Sequence, residues 1–155
     1  MSQHAPEKIR INHDDYQAQH VGRTTDKRQF FLTNPFVWAM GDNPGREFLA
    51  LYIFDADGNL LEAKIDDLGE REDKILPGNK LDISSAGSLV DTRLAELGEF
   101  SFCDIEVAPF RVEKFGVEFG LIPQSLEDDE DELSVTAEPG DYMAFYEPWD
   151  GDYDT

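Results

Sequence analysis

Apolar residues recur along much of this chain with the two-residue period of β-strands. Residues 7–11 alternate, and residues 28–33 and 48–54 form short apolar runs between polar flanks, so each segment is predicted to be a strand. The run over 48–54 is apolar on both faces, which indicates a central strand. The sequence Asp-Ala-Asp-Gly at 55–58 predicts a hairpin turn, and residues 59–65 then form the returning strand.

The second half of the chain has further strand patterns. Strands are predicted over residues 102–107, 111–114, 115–121 and 141–146. In residues 115–121 the apolar side chains share one face, and Gly116 and Gly120 fall on the other. Two glycines on one face indicate a β-bulge or the close approach of another backbone. The bare face is also a candidate wall for a small-molecule pocket, and an exposed strand of this kind could pair with a second copy of the chain as a homodimer.

One segment, at about residues 85–97, has the helical period instead. Val90, Leu94 and Leu97 recur at the i, i+4, i+7 spacing of one helix face. Nearby serines can cap the start, and a glycine directly after the segment suits the end. Residues 68–81, by contrast, are charged and contain Pro-Gly, so they are predicted to form a loop or a weak helical turn.

Together these elements predict an α+β fold, a mainly antiparallel sheet of about six strands with the helix packed on one face. The chain has 155 residues, and a single domain is predicted over 1–155. We expect residues 1–6 to be frayed, residues 125–134 to form an acidic loop, and residues 147–155 to form an acidic and aromatic C-terminal segment.

Charge is concentrated in the last fifth of the chain. The chain has 34 Asp and Glu residues against 13 Lys and Arg, a formal net charge of -21, and residues 125–155 hold 12 of the acidic residues and no basic one. Proteins bind nucleic-acid phosphates and anionic membranes mainly through basic residues. The charge therefore argues against nucleic-acid and membrane partners and favours a basic protein partner. Since 40% of the residues are hydrophobic, a folded core is still expected.

Two further patterns bear on the compartment. The N-terminal residues lack the basic and apolar regions of a secretory signal, and the longest apolar run is far shorter than the about 20 residues of a membrane-spanning helix. The single cysteine, Cys103, has no intramolecular disulfide partner and no flanking basic residue that would activate its thiol. We expect a cytoplasmic protein in which Cys103 is a buried structural residue.

Motifs that would carry catalysis or metal binding are weak. His4, His13 and His20 match no compact zinc spacing, and the segment that starts at Asp55 lacks the glycine and glutamate of a calcium loop at the required positions. Charge runs such as residues 127–132 are usually solvated. The sequence has neither a nucleophile elbow nor a phosphate-binding glycine loop. We expect no metal, no cofactor and no enzymatic activity.

Residues 142–155 are the most distinctive stretch, because aromatic and acidic residues are interleaved there. One interpretation is a final strand and a polar tail, with Trp149 packed on the domain as an anchor. The other is a contact surface, since aromatic residues among carboxylates supply both hot spots and electrostatic steering toward a basic partner. Removing residues 147–155 is then expected to leave the fold intact and to weaken partner binding.

On the second interpretation, two groups of residues are candidates for partner binding. The first group is Trp149, Asp150, Asp152, Tyr153 and Asp154. The second is a steering patch formed by Glu127, Asp128, Asp129, Glu130, Asp131 and Glu132.

Short motifs spread over most of the chain carry a resemblance to a known family. They are Gly22-Arg23, Gln29-Phe30, the segment 54–58, Asp104-Ile105, Pro109-Phe110, and the segments 116–121, 143–145 and 148–155. With these motifs the chain resembles a family of small acidic bacterial proteins often labelled "formate hydrogenlyase regulatory protein", the terminal motif being the most specific. The resemblance implies a bacterial, cytoplasmic protein and places no catalytic residues on this chain.

Three functions stay open on the sequence. The leading hypothesis is a non-catalytic, immunity-type inhibitor that masks a basic partner, such as a nuclease toxin, by presenting carboxylates where nucleic-acid phosphates would bind. The second is a bacterial regulatory protein that acts through protein contacts, as the family label implies. The third is a small-molecule-binding domain that uses the glycine face of residues 115–121 as a pocket wall.

Overall fold

The computed structural model describes residues 7–14, 18–37, 41–42, 45–70, 75–76, 80–81, 87–126, 129–138, 143–146, 149–151 and 153–154. These residues contain fifteen β-strands and one α-helix. The strands are β1 (Ile9–Ile11), β2 (His20–Thr24), β3 (Gln29–Thr33), β4 (Phe36–Val37), β5 (Arg46–Phe54), β6 (Leu60–Glu70), β7 (Ile75–Leu76), β8 (Lys80–Leu81), β9 (Phe100–Phe102), β10 (Ile105–Val107), β11 (Phe110–Lys114), β12 (Val117–Leu126), β13 (Asp129–Glu138), β14 (Ala144–Tyr146) and β15 (Tyr153–Asp154). The helix α1 (Gly87–Ala95) lies between β8 and β9.

Two antiparallel sheets form the body of the described structure. The first has six strands. Five of them follow the order β4-β5-β3-β2-β9, and the sixth, β6, also pairs with β5. The second has five strands in the order β11-β12-β13-β14-β15, and β1-β10 and β7-β8 are separate two-stranded sheets. The α+β class predicted from the sequence is confirmed. There are more strands than the about six expected for one sheet, because several of the predicted segments are divided between sheets.

The six-stranded sheet is buried on both faces. Successive side chains of a strand point to opposite faces, so even-numbered residues 48–54 of β5 belong to the main core and odd-numbered residues 49–53 to a second, smaller core. The five-stranded sheet covers the main core, and α1 covers the second through side chains such as Val90 and Leu94. The predicted central strand and the predicted apolar helix face are therefore both confirmed.

The turn after β5 has the hairpin form that the sequence predicts. The carboxylate of Asp55 accepts hydrogen bonds from the backbone N–H groups of Asp57 and Asn59, both at 2.9 Å. Gly58 has a φ of +90°, and a Cβ there would lie 2.6 Å from the carbonyl oxygen of Glu106. The turn thus packs directly against the backbone of β10, and only glycine at position 58 leaves enough room for this contact.

Two segments differ from their predicted structure because strand pairing overrides local sequence. Within residues 68–81, the described residues are in strands and not in a loop or a helical turn: β6 continues to Glu70, and β7 and β8 pair with each other, while residues 71–74 and 77–79 lie outside the described part of the chain. The charge of Asp67 on β6 is accommodated by Arg46 on the paired strand, at 2.8 Å. The predicted strand 102–107 is broken at Cys103 and Asp104 into β9 and β10, which belong to different sheets.

The glycine-bearing segment 115–121 is a turn followed by an inner strand. Phe115 and Gly116 have φ values of +55° and +72° and connect β11 to β12. At Gly120 a Cβ would lie 2.1 Å from the carbonyl oxygen of Phe110, so the predicted close approach of another backbone is confirmed there. Gly120 is paired with Arg111 on one side and Glu138 on the other. The predicted bare, exposed strand is therefore wrong at this position, because both of its edges are already occupied.

The predicted acidic loop at 125–134 is also replaced by strands in the described residues. β12 runs to Leu126 and β13 begins at Asp129, so only residues 127–128 lie between them, outside the described residues. The pairs of Leu126 with Asp129 and of Ser125 with Leu133 hold the acidic residues 130–132 between them in β13, despite their low strand preference. The predicted strand 141–146 is described from residue 143 onward, and residues 1–6 lie outside the described part of the chain.

Candidate functional site

The C-terminal segment is fastened to the first strand of the molecule. The backbone N–H of Arg10 donates to the carbonyl of Trp149 at 3.2 Å, and the side-chain amide of Asn12 donates to the carbonyl of Asp150 at 3.1 Å. Gly151 is buried, with a φ of +101°. The backbone around residue 150 therefore forms part of the body of the protein.

The two aromatic residues of the segment pack inward. Trp149 and Tyr153 are partly buried against the main core, and the ring of Tyr153 lies 5.8 Å from that of Phe145. The hydroxyl of Tyr153 also donates a hydrogen bond to the carboxylate of Asp14. The anchoring interpretation thus holds for Trp149 and Tyr153, because their apolar surface covers the main core.

The acidic residues of the segment are placed differently. Asp150 is exposed, while Asp152 lies outside the described residues and Asp154 belongs to β15. Among the described members of the C-terminal candidate group, Asp150 is thus the side chain that the structure places on the surface.

The described part of the acidic run, Asp129 to Glu132, lies at the outer end of the paired strands β12 and β13. We call residues 125–133 the acidic ribbon, described at 125–126 and 129–133. β11 pairs with β12 only as far as Leu121, and β14 pairs with β13 only from Ser134. Among the described strands, none flanks the ribbon on either side. Its acidic residues therefore extend beyond the flanking strands of the sheet.

The register of the ribbon contains a large irregularity. Ser125 pairs with Leu133, whereas the next residue, Leu126, pairs with Asp129. Residues 130–132 consequently lie on one strand with no counterpart on the other, as in an extended β-bulge. Bulges of this kind disrupt the regular ladder and twist a strand end away from edge-to-edge pairing.

The structure brings the two acidic groups to the same end of the five-stranded sheet. Ser134, at the base of the ribbon, pairs with Tyr146 at the end of β14, and Phe145 pairs with Tyr153 of β15. The described residues between β14 and β15, which include Asp150, therefore lie at the ribbon end of the sheet. Sequence reasoning treated the two groups as separate, because this neighbourhood depends on the order β13-β14-β15.

Two histidine rings contact an exposed aromatic side chain on β9. Phe102 is 43% exposed, its ring stacks on that of His13 at 5.4 Å, and His20 meets it edge-on at 5.8 Å. Burial, with a smaller contribution from His13, holds the pKa of His20 below its ordinary value. Cys103 is partly buried, so the expected full burial is wrong, because Cys103 lies in the break between β9 and β10 and not inside a strand. Within the described residues, no group of three or more His, Cys, Asp or Glu residues is placed to hold a metal ion.

Several carboxylates elsewhere are already engaged. The N–H of His13 and then the guanidinium of Arg10 lower the pKa of Asp104. The hydrogen bond with Asp66 raises the pKa of Arg93, which ties α1 to β6. These ion pairs neutralise acidic residues outside the C-terminal region. Residues 125–155, which have 12 acidic residues and no basic one, are therefore the most acidic part of the sequence.

Two grooves open beside Arg23, on the face shared by β2 and β9. One, of about 530 Å³, is lined by residues 23–25 and 98–101. The other, of about 250 Å³, is lined by Arg10, Arg23 and residues 104–106. Neither groove includes residues 115–121, so the predicted pocket wall forms no part of them. Sequence motifs did not predict that Arg23 lines both grooves, or that Asn12 packs against Gly151, since each of these arrangements depends on residues distant in the chain.

No protein-family model matches the chain, and neither a curated protein nor a solved structure does so. Within the described residues, no helix is long and apolar enough to cross a membrane. The resemblance to the regulatory-protein family therefore stays a prediction.

Proposed function

We propose that the chain is a non-catalytic, acidic protein-binding domain of the immunity type, which masks a basic partner such as a nuclease toxin. The observation that carries the proposal is the acidic ribbon, where the described acidic residues Asp129 to Glu132 lie at the end of a hairpin, beyond the flanking strands. Carboxylates on a projecting ribbon can enter a basic cleft in place of nucleic-acid phosphates.

The position of Asp150 supports the same proposal. Asp150 is exposed at the ribbon end of the sheet, so its charge adds to the field of the ribbon. In a region with 12 acidic residues and no basic one, neighbouring carboxylates repel one another, and a basic partner relieves that repulsion. Electrostatic steering of this kind raises association rates by roughly 10- to 1,000-fold at low ionic strength.

In this proposal Trp149 and Tyr153 do not contact the partner but hold the neighbouring acidic residues in position. Both pack on the main core, so they hold the chain around Asp150 in place. This changes the contribution of the C-terminal aromatics from direct anchors in a partner to scaffold residues. Asp152 and Asp154 remain candidate contact residues by their sequence position.

The test uses a basic nuclease domain captured by the full chain at low salt, with inhibition of its nuclease activity as the readout. The triple variant E130Q/D131N/E132Q neutralises the unpaired strand segment of the ribbon. The matched control E62Q/D91N/E113Q removes the same three charges from exposed positions elsewhere.

We expect the ribbon variant to inhibit the nuclease at least tenfold less strongly than the control variant, and inhibition to weaken steeply with added salt. The proposal would be contradicted if inhibition did not depend on salt, or if the ribbon variant and the control variant lost inhibition equally. So would failure of the chain to retain any basic nuclease at low salt. If deletion of the gene instead changed expression of a hydrogenase operon without any nuclease inhibition, the regulatory alternative would be favoured.

A further inference from the structure

Arg23 differs from the other arginines that the structure describes. Of the six whose side chains are described, five form ion pairs with carboxylates: Arg10, Arg28, Arg46, Arg93 and Arg111. Arg23 is exposed and forms no ion pair with any described residue. In a chain with a net charge of -21, carboxylates outnumber guanidinium groups so strongly that an unengaged one facing a groove requires an explanation.

The larger groove places a second unpaired charge near Arg23. Glu99 also lines it, is exposed, and forms no ion pair with any described residue. Arg23 lies on β2, and Glu99 directly precedes the adjacent strand β9: Arg23 pairs with Ser101 in the β2–β9 ladder, and the N–H of Thr25 donates to the carbonyl of Glu99 at 3.0 Å. The groove therefore offers a guanidinium and a carboxylate that do not neutralise each other.

Two hydroxyl groups complete the polar lining. Thr25 and Ser101 are exposed and line the same groove. A guanidinium presents parallel N–H donors that match the two oxygens of a carboxylate, and hydroxyls can donate to the same oxygens. At about 530 Å³ the groove is in the range of roughly 300–1,000 Å³ that small-molecule sites occupy.

We propose that this groove binds a small zwitterion of the amino-acid type. The ligand's carboxylate is held by Arg23 with Thr25 and Ser101, and its ammonium group faces Glu99. A simple anion is repelled by the whole molecule, whose net charge is -21. A zwitterion carries no net charge and satisfies both unpaired groups together. The smaller groove contributes no further unpaired guanidinium, because Arg10 is bound to Asp104 at 3.0 Å.

The test is a ¹H–¹⁵N NMR titration of the full chain with glycine, β-alanine and γ-aminobutyrate. These probes carry the same two charges at increasing separation, and acetate and methylammonium serve as single-charge controls. The signals to follow are the backbone amides of residues 98–101 and the Nε–H of Arg23. We expect at least one zwitterion to saturate below about 50 mM and to bind more tightly than acetate or methylammonium.

Variants then test whether Arg23 binds the carboxylate of the ligand and Glu99 its ammonium group. R23Q is expected to weaken zwitterion binding roughly tenfold or more, because charge-assisted hydrogen bonds are lost, while R23K retains part of the affinity. E99Q is expected to abolish the preference for the zwitterion over acetate. The control variants R111Q and E118Q break an exposed ion pair on the other sheet, at 3.6 Å, and should leave the titration unchanged.

Three results would overturn the proposal. They are linear shifts without saturation for all three zwitterions, acetate binding as tightly as every zwitterion, and equal effects of R23Q and R111Q. None of these results depends on a protein partner, so this proposal and the proposed inhibitor function fail independently.

Discussion

Asn12 and Gly151 pack so closely that a side chain at position 151 would displace the Asn12 amide. A Cβ on Gly151 would lie 2.3 Å from Nδ2 of Asn12, and the same amide nitrogen donates to the carbonyl of Asp150 at 3.1 Å. One asparagine beside the first strand thus fixes the backbone of the last turn. The ribbon end of the sheet depends on this junction, because it determines where Asp150 is displayed.

Replacing Gly151 by alanine should therefore be costly. The variant G151A combines a positive φ with a steric clash, and we expect the free energy of unfolding to fall by roughly 2–4 kcal/mol. Urea unfolding followed by circular dichroism measures it. The control is G98A, at a φ of +77° with no atom within 4 Å of a Cβ, for which a loss of about 1 kcal/mol is expected. Equal losses in the two variants would contradict the Asn12–Gly151 packing.

Truncation of residues 147–155 should also destabilise the fold, contrary to the expectation from sequence. The deletion removes Trp149 from the main core and β15 from the edge of its sheet, so we expect a loss of more than about 2 kcal/mol. The measurement is the urea midpoint of the truncated and full chains. The control variant is E113Q, at an exposed position on the same sheet, which should keep the midpoint unchanged. An unchanged midpoint on truncation would show that the terminus is dispensable for folding.

The helix is expected to depend on one bidentate ion pair. Arg93 of α1 contacts both carboxylate oxygens of Asp66 on β6, at 2.8 and 2.7 Å, with side chains 21% and 25% exposed. R93Q should lower the free energy of unfolding by roughly 1–2 kcal/mol, and R93K by less, because lysine keeps the charge but not the two parallel donors. R111Q breaks a much more exposed pair and should stay within about 0.5 kcal/mol of the parent. A loss in R93Q no larger than in R111Q would refute this account.

The partial burial of His20 predicts a specific pH dependence. Its folded-state pKa lies below 6.5, with burial as the main cause and His13 as the second. The unfolded chain therefore takes up the proton first, so the contribution to stability is complete above about pH 6.5 and is lost as the pH falls through the folded-state pKa. H20Q should remove this part of the decline in urea midpoint. NMR titration of the His20 ring gives the pKa directly, and a value above that of a free histidine would contradict the prediction.

The turn between β11 and β12 holds a bulky residue in an unfavourable conformation. Phe115 has a φ of +55°, and its ring stacks on Phe48 at 6.0 Å with 13° between the planes. F115A and F115N lose the same stacking, but asparagine tolerates this backbone region better than alanine. We expect the asparagine variant to be more stable by roughly 0.5–1 kcal/mol in urea unfolding. If alanine were equal or better, the turn would not be strained at this residue.

Sequence periodicity predicted the structure correctly where an element packs against a core, because burial of a face requires apolar residues at a regular spacing. The continuous apolar run of β5 and the i, i+4, i+7 spacing near Leu94 both appear in the structure as the sides of two cores. Periodicity was less informative where a partner strand decides the conformation. The acidic residues that follow Asp129 look like a loop in the sequence, because the strand conformation there depends on the pairs that Asp129 and Leu133 form with β12 on either side of them.

The candidate site shows the same division. Sequence composition located the acidic ribbon and the acidic terminus, since charge density needs no tertiary information. It left the role of Trp149 open, because the core that Trp149 covers is assembled from strands distant in the chain. The unpaired state of Arg23 was likewise hidden, since it depends on which carboxylates the fold brings near each guanidinium.

The sequence by itself determined the mainly β character of this protein, the helix near Leu94 and the concentration of negative charge near its C-terminus. Local periodicity and composition carry that information, because they depend on neighbouring residues alone. The tertiary structure decided that the acidic ribbon and Asp150 share one end of a sheet, that Asn12 clamps Gly151, and that Arg23 and Glu99 face one groove unpaired. These relationships join residues far apart in the chain, and only strand order and register fix them.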